Sequence, residues 1–516
     1  MAAVPACAQE DPFAAAQQAF AAVVAYLGSP EARAVTHSDL ERTLEVHGRE
    51  VFRLLYQGHL DARGPGAAAG PVCGADGVAR REARLQPRTL ATVFGPVTVR
   101  RLGYRAAGAA SLHPQDAALN LPPERYSHEL RRQAAAEAAK GSFDEAVQSV
   151  ARHTGTPVAK RQVEELVARA AQDFDAFYAG RQATAAARGP TGAVLVLTAD
   201  GKGVVMRPAD LRDATRQAAV RRTHKLATRL SKGEKRQAKR MATVAAVDPI
   251  APYVRTPEDV VRGMAPLRVT EEPGRPRPER KRVWASLQHP PAAVLEEAFR
   301  EAAHRDPERA KTWVAVVDGN KPQLALLQKL ARQRRIALTV VLDVIHVVEY
   351  LWKAALAFHA EGSPALEAWV TARLLQVLRG RASHVAAGIR RSATLRQLSA
   401  RVRKPADACA NYLLTHAPYL RYDQYLAAGL PIASGVIEGA CRHLVTDRMD
   451  LTGARWSLAG AEAVLRLRAL RSSRDFDEYW GFHEAQEHQR NPASRYANGT
   501  VVPVRDGMRA HLRAIK

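Results

Sequence analysis

The chain has 516 residues, 47% of them hydrophobic and 25% charged, a composition typical of a globular protein with several domains and not of a disordered one. Lysine and arginine outnumber aspartate and glutamate by 76 to 52, so the formal net charge is +24. This excess favours a polyanionic partner, most simply nucleic acid. The four cysteines form no Cys-x-x-Cys pair, which argues against a disulfide scaffold or a cysteine zinc site. No apolar run reaches membrane-spanning length, so we expect a cytoplasmic protein without a membrane partner.

The N-terminal part is predicted to be helical. Residues 13–57 carry apolar side chains at helical spacing, and Ser38 with Glu41 forms a candidate capping box. Two β-type runs then flank Gly95-Pro96 in TLATVFGPVTVRRLGYR, residues 89–105, which predicts a hairpin.

Residues 142–152 and 158–171 have helical patterns, and residues 153–157 read as a turn between them. Lys160, Arg161 and Gln162 open the second helix, where a recognition helix would meet DNA. The pattern fits an ordinary αα-hairpin equally well.

The stretch AVLVLTADGKGVV, residues 193–205, predicts a buried strand that ends in Asp200. Alone, Asp200 could simply start a glycine-rich turn. Basic residues, Arg221, Arg222 and Lys225 among them, crowd the following residues 212–240. Such a run is either a solvated segment or an insertion beside a DNA path.

Further β-type runs follow at residues 241–250 and 282–287. A helix then precedes TWVAVVDGNKPQ, in which an apolar run ends in Asp318. Three strands in succession followed by alternating helices and strands are the layout of the ribonuclease H-like fold. In that fold the first and fourth strands are neighbours, so Asp200 and Asp318 should end adjacent strands. A late helix in PIASGVIEGACRHL could bring Glu438 to them.

Three clustered carboxylates with open positions suit two Mg²⁺ or Mn²⁺ ions. Such an ion pair supports in-line phosphoryl displacement without a side-chain nucleophile. Asp343, in LDVIHVVEY, also ends an apolar strand and is the alternative second acid. Strand topology favours Asp318, which leaves Asp343 and His346 as supporting or DNA-contacting groups, or His346 as a histidine near the core.

Several residues after Glu438 are candidate DNA contacts. Arg442 lies four positions on, on the same face of a regular helix, and could bind a phosphate, as could Arg455. Trp456 could stack on an unpaired base, although helix packing is the commoner role of a tryptophan.

These motifs closely resemble the Kra-type DDE transposases of bacterial insertion sequences. The resemblance rests on GVIEGACRHLVTDRMDLTGARWSLAGAEAVLRLRAL, with VLTADGKGV, VVDGNKPQ, LDVIHVVEYLW and TLATVFGPVTVRRLGY, and spans about residues 88–491. It implies a magnesium-dependent enzyme that cleaves and joins DNA at the ends of its own element, with Asp200, Asp318 and Glu438 as the catalytic, metal-binding triad.

The resemblance also implies partners and a place in the cell. The partners would be double-stranded DNA, as terminal inverted repeats and target, and a second copy of the chain or more, with the protein associated with the nucleoid. An inactive DNA-binding regulator and a ribonuclease H-like nuclease without strand joining are the alternatives.

We therefore predict an α/β protein with a ribonuclease H-like core, an all-helical insertion and a mainly helical N-terminal DNA-binding region. The predicted regions are 1–80, N-terminal helices; 81–180, hairpin and helix-turn-helix-like region; 190–350, first part of the core with the basic insertion 212–240; 351–430, helical insertion; 431–485, helices carrying the catalytic glutamate; and 486–516, tail.

Overall fold

A computed structural model describes residues 11–183, 191–221, 228, 238–264, 274–451 and 453–505. The chain forms two compact units, one of residues 1–174 with 477–516 and one of residues 175–476. Within the described residues, no helix has both the length and the hydropathy needed to cross a bilayer.

The described helices and strands occur in runs along the chain, and only the middle of the second unit alternates between them. The helices are α1 (Ala14–Leu27), α2 (Pro30–Ala34), α3 (His37–Arg63), α4 (Pro114–Ala118), α5 (His128–Lys140), α6 (Phe143–Thr154), α7 (Lys160–Ala170), α8 (Phe174–Ala183), α9 (Asp213–Val220), α10 (Pro257–Gly263), α11 (Pro291–Arg305), α12 (Lys321–Arg334), α13 (Val344–Ala355), α14 (Pro364–Leu378), α15 (Ala382–Leu395), α16 (Ala400–Thr415), α17 (Tyr422–Ala427), α18 (Gly435–Ala440), α19 (Asp447–Met449), α20 (Leu458–Ser473) and α21 (Phe476–Arg490). The strands are β1 (Val72–Cys73), β2 (Ala79–Arg80), β3 (Glu82–Thr92), β4 (Gly95–Ala106), β5 (Ala109–Leu112), β6 (Val194–Val205), β7 (Lys239–Ile250), β8 (Arg282–Ser286), β9 (Thr312–Val317) and β10 (Leu338–Leu342).

The predicted hairpin of the first unit is confirmed. Strands β3 and β4 pair antiparallel from Glu82 with Arg105 to Thr92 with Gly95, and β5 extends the sheet. The predicted capping box, in contrast, is wrong by two positions, because α3 begins at His37 and its cap is Thr36, whose Oγ1 accepts from the Asp39 amide. Both sites have a hydroxyl followed by an acid, so the pattern alone could not choose between them.

Helices α5, α6 and α7 pack on one another in the first unit, and α6 and α7 match the predicted helix–turn–helix segment. A capping box of Ser142 and Glu145 starts α6. The turn after α6 depends on Gly155, which has φ +66, and a Cβ there would lie 2.6 Å from the Arg49 guanidinium. That guanidinium donates to the carbonyl oxygens of Arg152 and His153, where a cation is favourable at a helix C-terminus.

The C-terminal segment packs within the first unit. Tyr496 is buried with Val72, Tyr104 and Leu112 in a small apolar cluster. Residues 486–505, which the sequence pattern assigned to a tail, therefore contribute to the core of the unit that contains the N-terminal helices.

A five-stranded mixed sheet organises the second unit, in the order β10-β9-β6-β7-β8. Strand β6 is parallel to β9 and antiparallel to β7, while β9 and β10 are parallel. The predicted adjacency of the first and fourth strands, β6 and β9, is confirmed. Helices complete this mixed α/β unit.

One predicted boundary in the sheet is wrong. Strand β6 does not end at Asp200 but continues to Val205, paired throughout with β7. Only the parallel pairing with β9 stops at Thr198. The glycines that suggested a turn lie instead in a two-stranded extension, which an antiparallel partner can support after the third strand has ended.

Helices α13 to α17 share one apolar core with the sheet. Val194 and Val196 of β6 and Val314 and Val316 of β9 belong to the same buried cluster as residues of α14, α15 and α16. The helical block therefore packs on one face of the sheet and has no separate core. Of the basic run at residues 212–240, the structure describes α9 and the start of β7; Arg222 and Lys225 lie outside the described residues.

Candidate functional site

Asp200 and Asp318 lie level with each other on neighbouring strands. The last parallel pair joins Thr198 of β6 to Val316 of β9, and continuing that register by two residues brings Asp200 opposite Asp318. Both side chains are half-buried, at the point where β9 ends and the buried part of the sheet meets solvent. The sequence prediction that these two acids share one edge of the sheet therefore agrees with the register.

The loop after β9 is held by the helical block. Gly319 has φ +90, and a Cβ there would lie 2.8 Å from a methyl carbon of Leu342 and 3.0 Å from His416. The Tyr412 hydroxyl donates to the carbonyl oxygen of Asp318 at 3.1 Å, and His416 Nε2 lies 3.0 Å from the carbonyl oxygen of Gly319. Helix α16 thus fixes the backbone that carries Asp318.

Glu438 lies on α18, close to several other acids. Its pKa is raised, first by burial and then by the charges of Asp343, Glu349 and Asp200, while His346 opposes the shift. Glu438 and Asp200 are therefore within electrostatic reach of each other, although 238 positions separate them in the sequence. Their like charges make the site favourable for a cation.

The helix that carries Glu438 changes form directly after it. Residues Cys441–Thr446 form a π-helix, which continues into α19. The buried Cys441 thiol donates to Asp200 Oδ2 at 3.2 Å, and burial together with the Asp200 charge raises the pKa of Cys441. The thiol therefore stays protonated at neutral pH and orients the carboxylate. Single-turn π segments inside helices recur at functional sites.

Asp343 joins β10 to α18 and is almost completely buried. Its Oδ1 accepts from the Ile345 amide and caps α13, while its Oδ2 accepts from the amide and hydroxyl of Ser434, the residue before α18. The Asp343 amide in turn donates to the carbonyl oxygen of Val317 at the end of β9. Both carboxylate oxygens are occupied by protein donors, so this side chain positions its neighbours.

Asp318 differs from Asp343 in its bonding and exposure. Its Oδ1 accepts from the Asn320 amide at 2.9 Å, and the side chain is half-buried. In electrostatic terms, however, Asp343 acts more strongly on Glu438 than Asp200 does, whereas Asp318 is not among the main influences on Glu438. The two observations point to different second acids. We give the bonding more weight, because a carboxylate that already accepts three hydrogen bonds has little capacity left for a metal.

The donor chemistry of this site fits a hard divalent cation. Asp200, Asp318 and Glu438 offer carboxylate oxygens, which Mg²⁺ and Mn²⁺ prefer, and the mutual repulsion at Glu438 is the kind that a bound cation relieves. In the described part of the chain, no three His, Cys, Asp or Glu side chains already form a metal-ligating group. The three acids are therefore neighbours whose side chains would have to move closer together to bind an ion.

The candidate DNA contacts of the second unit differ in exposure. Arg442 is 76% exposed, with its Nε 3.6 Å from Asp447 Oδ1. The π-helix begins between Glu438 and Arg442, so the regular helical spacing that predicted a shared face does not apply. Arg455 and Arg221 are exposed. Trp456 is buried, donates to the carbonyl oxygen of Met449 and packs under the Arg448 guanidinium, which favours its packing role over base stacking.

The candidate recognition helix of the first unit presents two cations. Lys160 and Arg161 are exposed, with side chains 51% and 90% accessible, and pair with Asp144 and Glu165. Gln162 is half-buried and accepts a hydrogen bond from the Tyr126 hydroxyl. This bond holds the Gln162 side chain against the first unit, so that it is not presented on the exposed face of α7.

Sequence reasoning missed Ser434, Cys441 and Tyr412. Each acts on a candidate acid through a hydrogen bond from another part of the chain. For Cys441 a signal existed, since it lies three positions after Glu438. No comparable signal marks Tyr412 in the helical block.

Comparisons with known proteins add little to this geometry. No family model and no curated protein matches the chain. Among solved structures it is similar to the Drosophila P element transposase strand transfer complex, at 10% identity and a TM-score of 0.23 over 73% of this chain and 84% of that one. A likeness at that TM-score does not establish a shared fold, so function is argued from the residues.

Proposed function

We propose that this protein is a DDE transposase that cleaves and joins DNA strands at the ends of an insertion sequence, with a ribonuclease H-like core in its second unit. One observation carries the proposal. Asp200 and Asp318 lie level on adjacent parallel strands, and a late helix brings Glu438 within electrostatic reach of Asp200. The order and directions of the five strands are those expected of such a core.

In this proposal Asp200, Asp318 and Glu438 hold two Mg²⁺ or Mn²⁺ ions. When bound, such ions activate a water or a 3′-hydroxyl and stabilise the leaving oxygen in an in-line displacement. The protein's own part is positional. Cys441 orients the Asp200 carboxylate, Tyr412 and His416 hold the backbone around Asp318, and Asp343 ties α18 to the ends of β9 and β10.

The charge of the chain supports the DNA partner. A formal net charge of +24 suits a protein that neutralises many phosphates. We assign DNA contacts to Lys160 and Arg161 in the first unit and to Arg221, Arg442 and Arg455 in the second. Joining two element ends requires two active sites, so we propose a homodimer or larger assembly on DNA.

The triad is tested with single substitutions that remove charge but keep shape. Asp200→Asn, Asp318→Asn and Glu438→Gln should each abolish Mg²⁺-dependent cleavage of linear DNA carrying the element ends, while binding to that DNA stays within about threefold of wild type. Loss of a metal-binding carboxylate removes the phosphoryl-transfer chemistry but not the phosphate contacts.

Asp343→Asn is the matched comparison, because it alters a buried acid beside the same site. We expect cleavage to be slowed and not lost, since the substitution weakens bonds that position α18. Normal cleavage by Asp318→Asn together with complete loss in Asp343→Asn would exchange their roles. DNA binding without cleavage by the wild-type protein would make it a regulator, and cleavage without joining would make it a nuclease.

A further inference from the structure

A cavity of about 1030 Å³ lies within the second unit beside the candidate active site. One side is formed by residues of β6 and β7, among them Thr198 and Asp248, and another by small residues of α18, among them Gly435 and Gly439. Its volume is at the upper end of the range typical of small-molecule pockets. None of the roles proposed above uses it.

The buried wall of the cavity carries polar atoms without partners. Asp248 is 2% exposed and Thr198 is 3% exposed. Among the described residues, no donor is hydrogen-bonded to Asp248 Oδ1, and Thr198 Oγ1 has no partner either. Buried polar atoms are nearly always paired, and an unpaired buried carboxylate is especially costly. A ligand with N–H groups would satisfy this wall.

Other residues that line the cavity are positively charged and exposed, and we take them as its mouth. Arg275, Arg277 and Lys281 line it and are exposed, in a segment where arginine alternates with proline. The proline rings restrict the backbone of this segment, which limits the entropy lost when its side chains bind. A cluster of exposed cations at the mouth suits an anionic group, and guanidinium groups suit phosphate in particular.

We propose that this cavity binds a nucleoside phosphate, with the base against Asp248 and Thr198 and the phosphate on the cations of the 275–281 segment. A nucleobase supplies the N–H donors that the wall lacks, and carboxylates accept hydrogen bonds from base amino groups. The size of the cavity suits a whole nucleotide.

The position of the cavity relates it to the proposed reaction. Thr198 precedes Asp200 by two residues on β6, a separation of about 7 Å along a strand on the same face. The helix that carries Glu438 forms the other wall. On the proposed function, the bound nucleotide belongs to a DNA strand, unstacked next to the cleaved position. A free nucleotide offers the same chemistry, and the two sources are separated below.

The test uses the full-length protein in EDTA, so that binding is measured without cleavage. The probe is an eight-nucleotide single strand with one internal 2-aminopurine, whose fluorescence rises when the base is unstacked. Wild-type protein should bind it with a rise in fluorescence. Asp248→Asn and Thr198→Val, both nearly isosteric, should remove that rise, and Asp248→Asn should weaken binding by about tenfold or more.

Charge reversal at the mouth has a matched control. Arg275→Glu with Lys281→Glu should weaken binding of the probe by at least about tenfold and reduce its dependence on salt. Lys329→Glu with Arg332→Glu makes the same change of charge on exposed positions of α12 that do not line the cavity, and should weaken binding less. Equal losses in the two double variants would refute the phosphate site.

Two further outcomes are decisive. An unchanged fluorescence rise in a folded Asp248→Asn protein would overturn the proposal. Competition by dGMP alone at micromolar concentration would assign the cavity to a free nucleotide, whereas competition only by single strands would assign it to DNA. Asp200→Asn should lose cleavage but retain the fluorescence rise. Failure of the catalytic proposal and failure of the cavity proposal therefore give different results.

Discussion

At the scale of single residues, Asp248 shows most clearly how burial controls chemistry. Burial raises its pKa from 3.8 to about 7, and the charges of Arg305 and Lys281 only partly oppose that shift. The folded protein therefore keeps this proton over a pH interval in which the unfolded chain has lost it. The resulting stabilisation is complete below about pH 4 and is lost as the pH rises through 7.

We predict that Asp248→Asn raises the apparent melting temperature at pH 8.5 and changes it little at pH 5. One pKa unit corresponds to about 1.4 kcal/mol, so the ionised Asp248 destabilises the fold by up to about 4 kcal/mol. Thermal unfolding at the two pH values measures this. An equal rise in melting temperature at both pH values would contradict the prediction.

Asp306→Asn is the control, because Asp306 is equally buried but fully bonded. Its carboxylate accepts from the amides of Ala310 and Lys311 and from the Trp313 indole. This substitution should lower the melting temperature at both pH values, since the new amide group cannot accept at both of its ends.

Among single residues, the placing of Asp200 and Asp318 on adjacent strands could be predicted, because each follows an apolar run in the sequence. Such a run marks the buried part of a strand, and strand order then makes these two acids neighbours. Strand topology left Asp343 as a supporting or DNA-contacting group, but its actual contact could not be predicted. It depends on Ser434, 91 positions away, and hydrogen bonds over such separations leave no mark in a single sequence.

At the scale of elements, the position of α18 depends on its contacts with other parts of the chain. The helix continues through the π-helix into α19, so the helical stretch covers residues 435–449. Isolated helices of about this length are only marginally stable in water, so tertiary contacts must hold Glu438 in place. The Asp343 carboxylate supplies such a contact at the start of the helix through the Ser434 amide, 2.9 Å away, and through the Ser434 hydroxyl.

We predict that Ser434→Ala lowers the cleavage rate at saturating DNA by about tenfold or more, because it removes a buried hydrogen bond to a charged group. DNA affinity should stay unchanged, and Ser434→Thr should restore most of the rate. Rate measurements and binding titrations on the three proteins check this. Normal cleavage by Ser434→Ala would show that packing alone positions α18.

Helices and strands whose positions follow from side-chain periodicity were predicted well. Those that depend on pairing with a partner strand were predicted poorly. The hairpin β3–β4 and the helices α6 and α7 follow from local patterns. The extension of β6 beyond Asp200 does not, because it depends on β7 as a partner. The π-helix after Ala440, in which Cys441 and Leu444 are buried, likewise departs from regular helical spacing and was not predicted.

At the scale of the whole molecule, the first unit is assembled from both ends of the chain. Arg131 is completely buried, and its Nη1 lies 3.2 Å from Glu487 Oε2, which belongs to α21. Glu487 also accepts from Gln172 and Arg490 through its other oxygen. Removing one partner of a buried ion pair leaves an uncompensated charge, at a cost of about 3–5 kcal/mol.

We predict that Glu487→Gln destabilises the first unit and leaves the second unaffected. Hydrogen exchange should become faster in α5 and α7 but not in β6 or β9. Glu165→Gln, which breaks an exposed pair with Arg161 in the same unit, should change exchange very little. Faster exchange throughout both units would show that their stabilities are coupled.

The return of the C-terminal segment could not be predicted from sequence. Residues 486–505 have no strong periodicity, and the burial of Tyr496 depends on Val72 and Tyr104, hundreds of positions earlier. The strands and helices of the second unit each have a local signal in the sequence, so their presence could be predicted, but the core that they share could not.

This arrangement also fixes an order of events during synthesis. The ribosome makes residues 175–476 before it makes α21, so the second unit is complete in sequence while the first still lacks its last helix. Until then Arg131 has no Glu487 to pair with, and Tyr104 has no Tyr496 to cover it. A nascent chain interrupted between residues 476 and 490 therefore has every candidate catalytic acid but an unfinished first unit. Translation must pass that point before both units can fold.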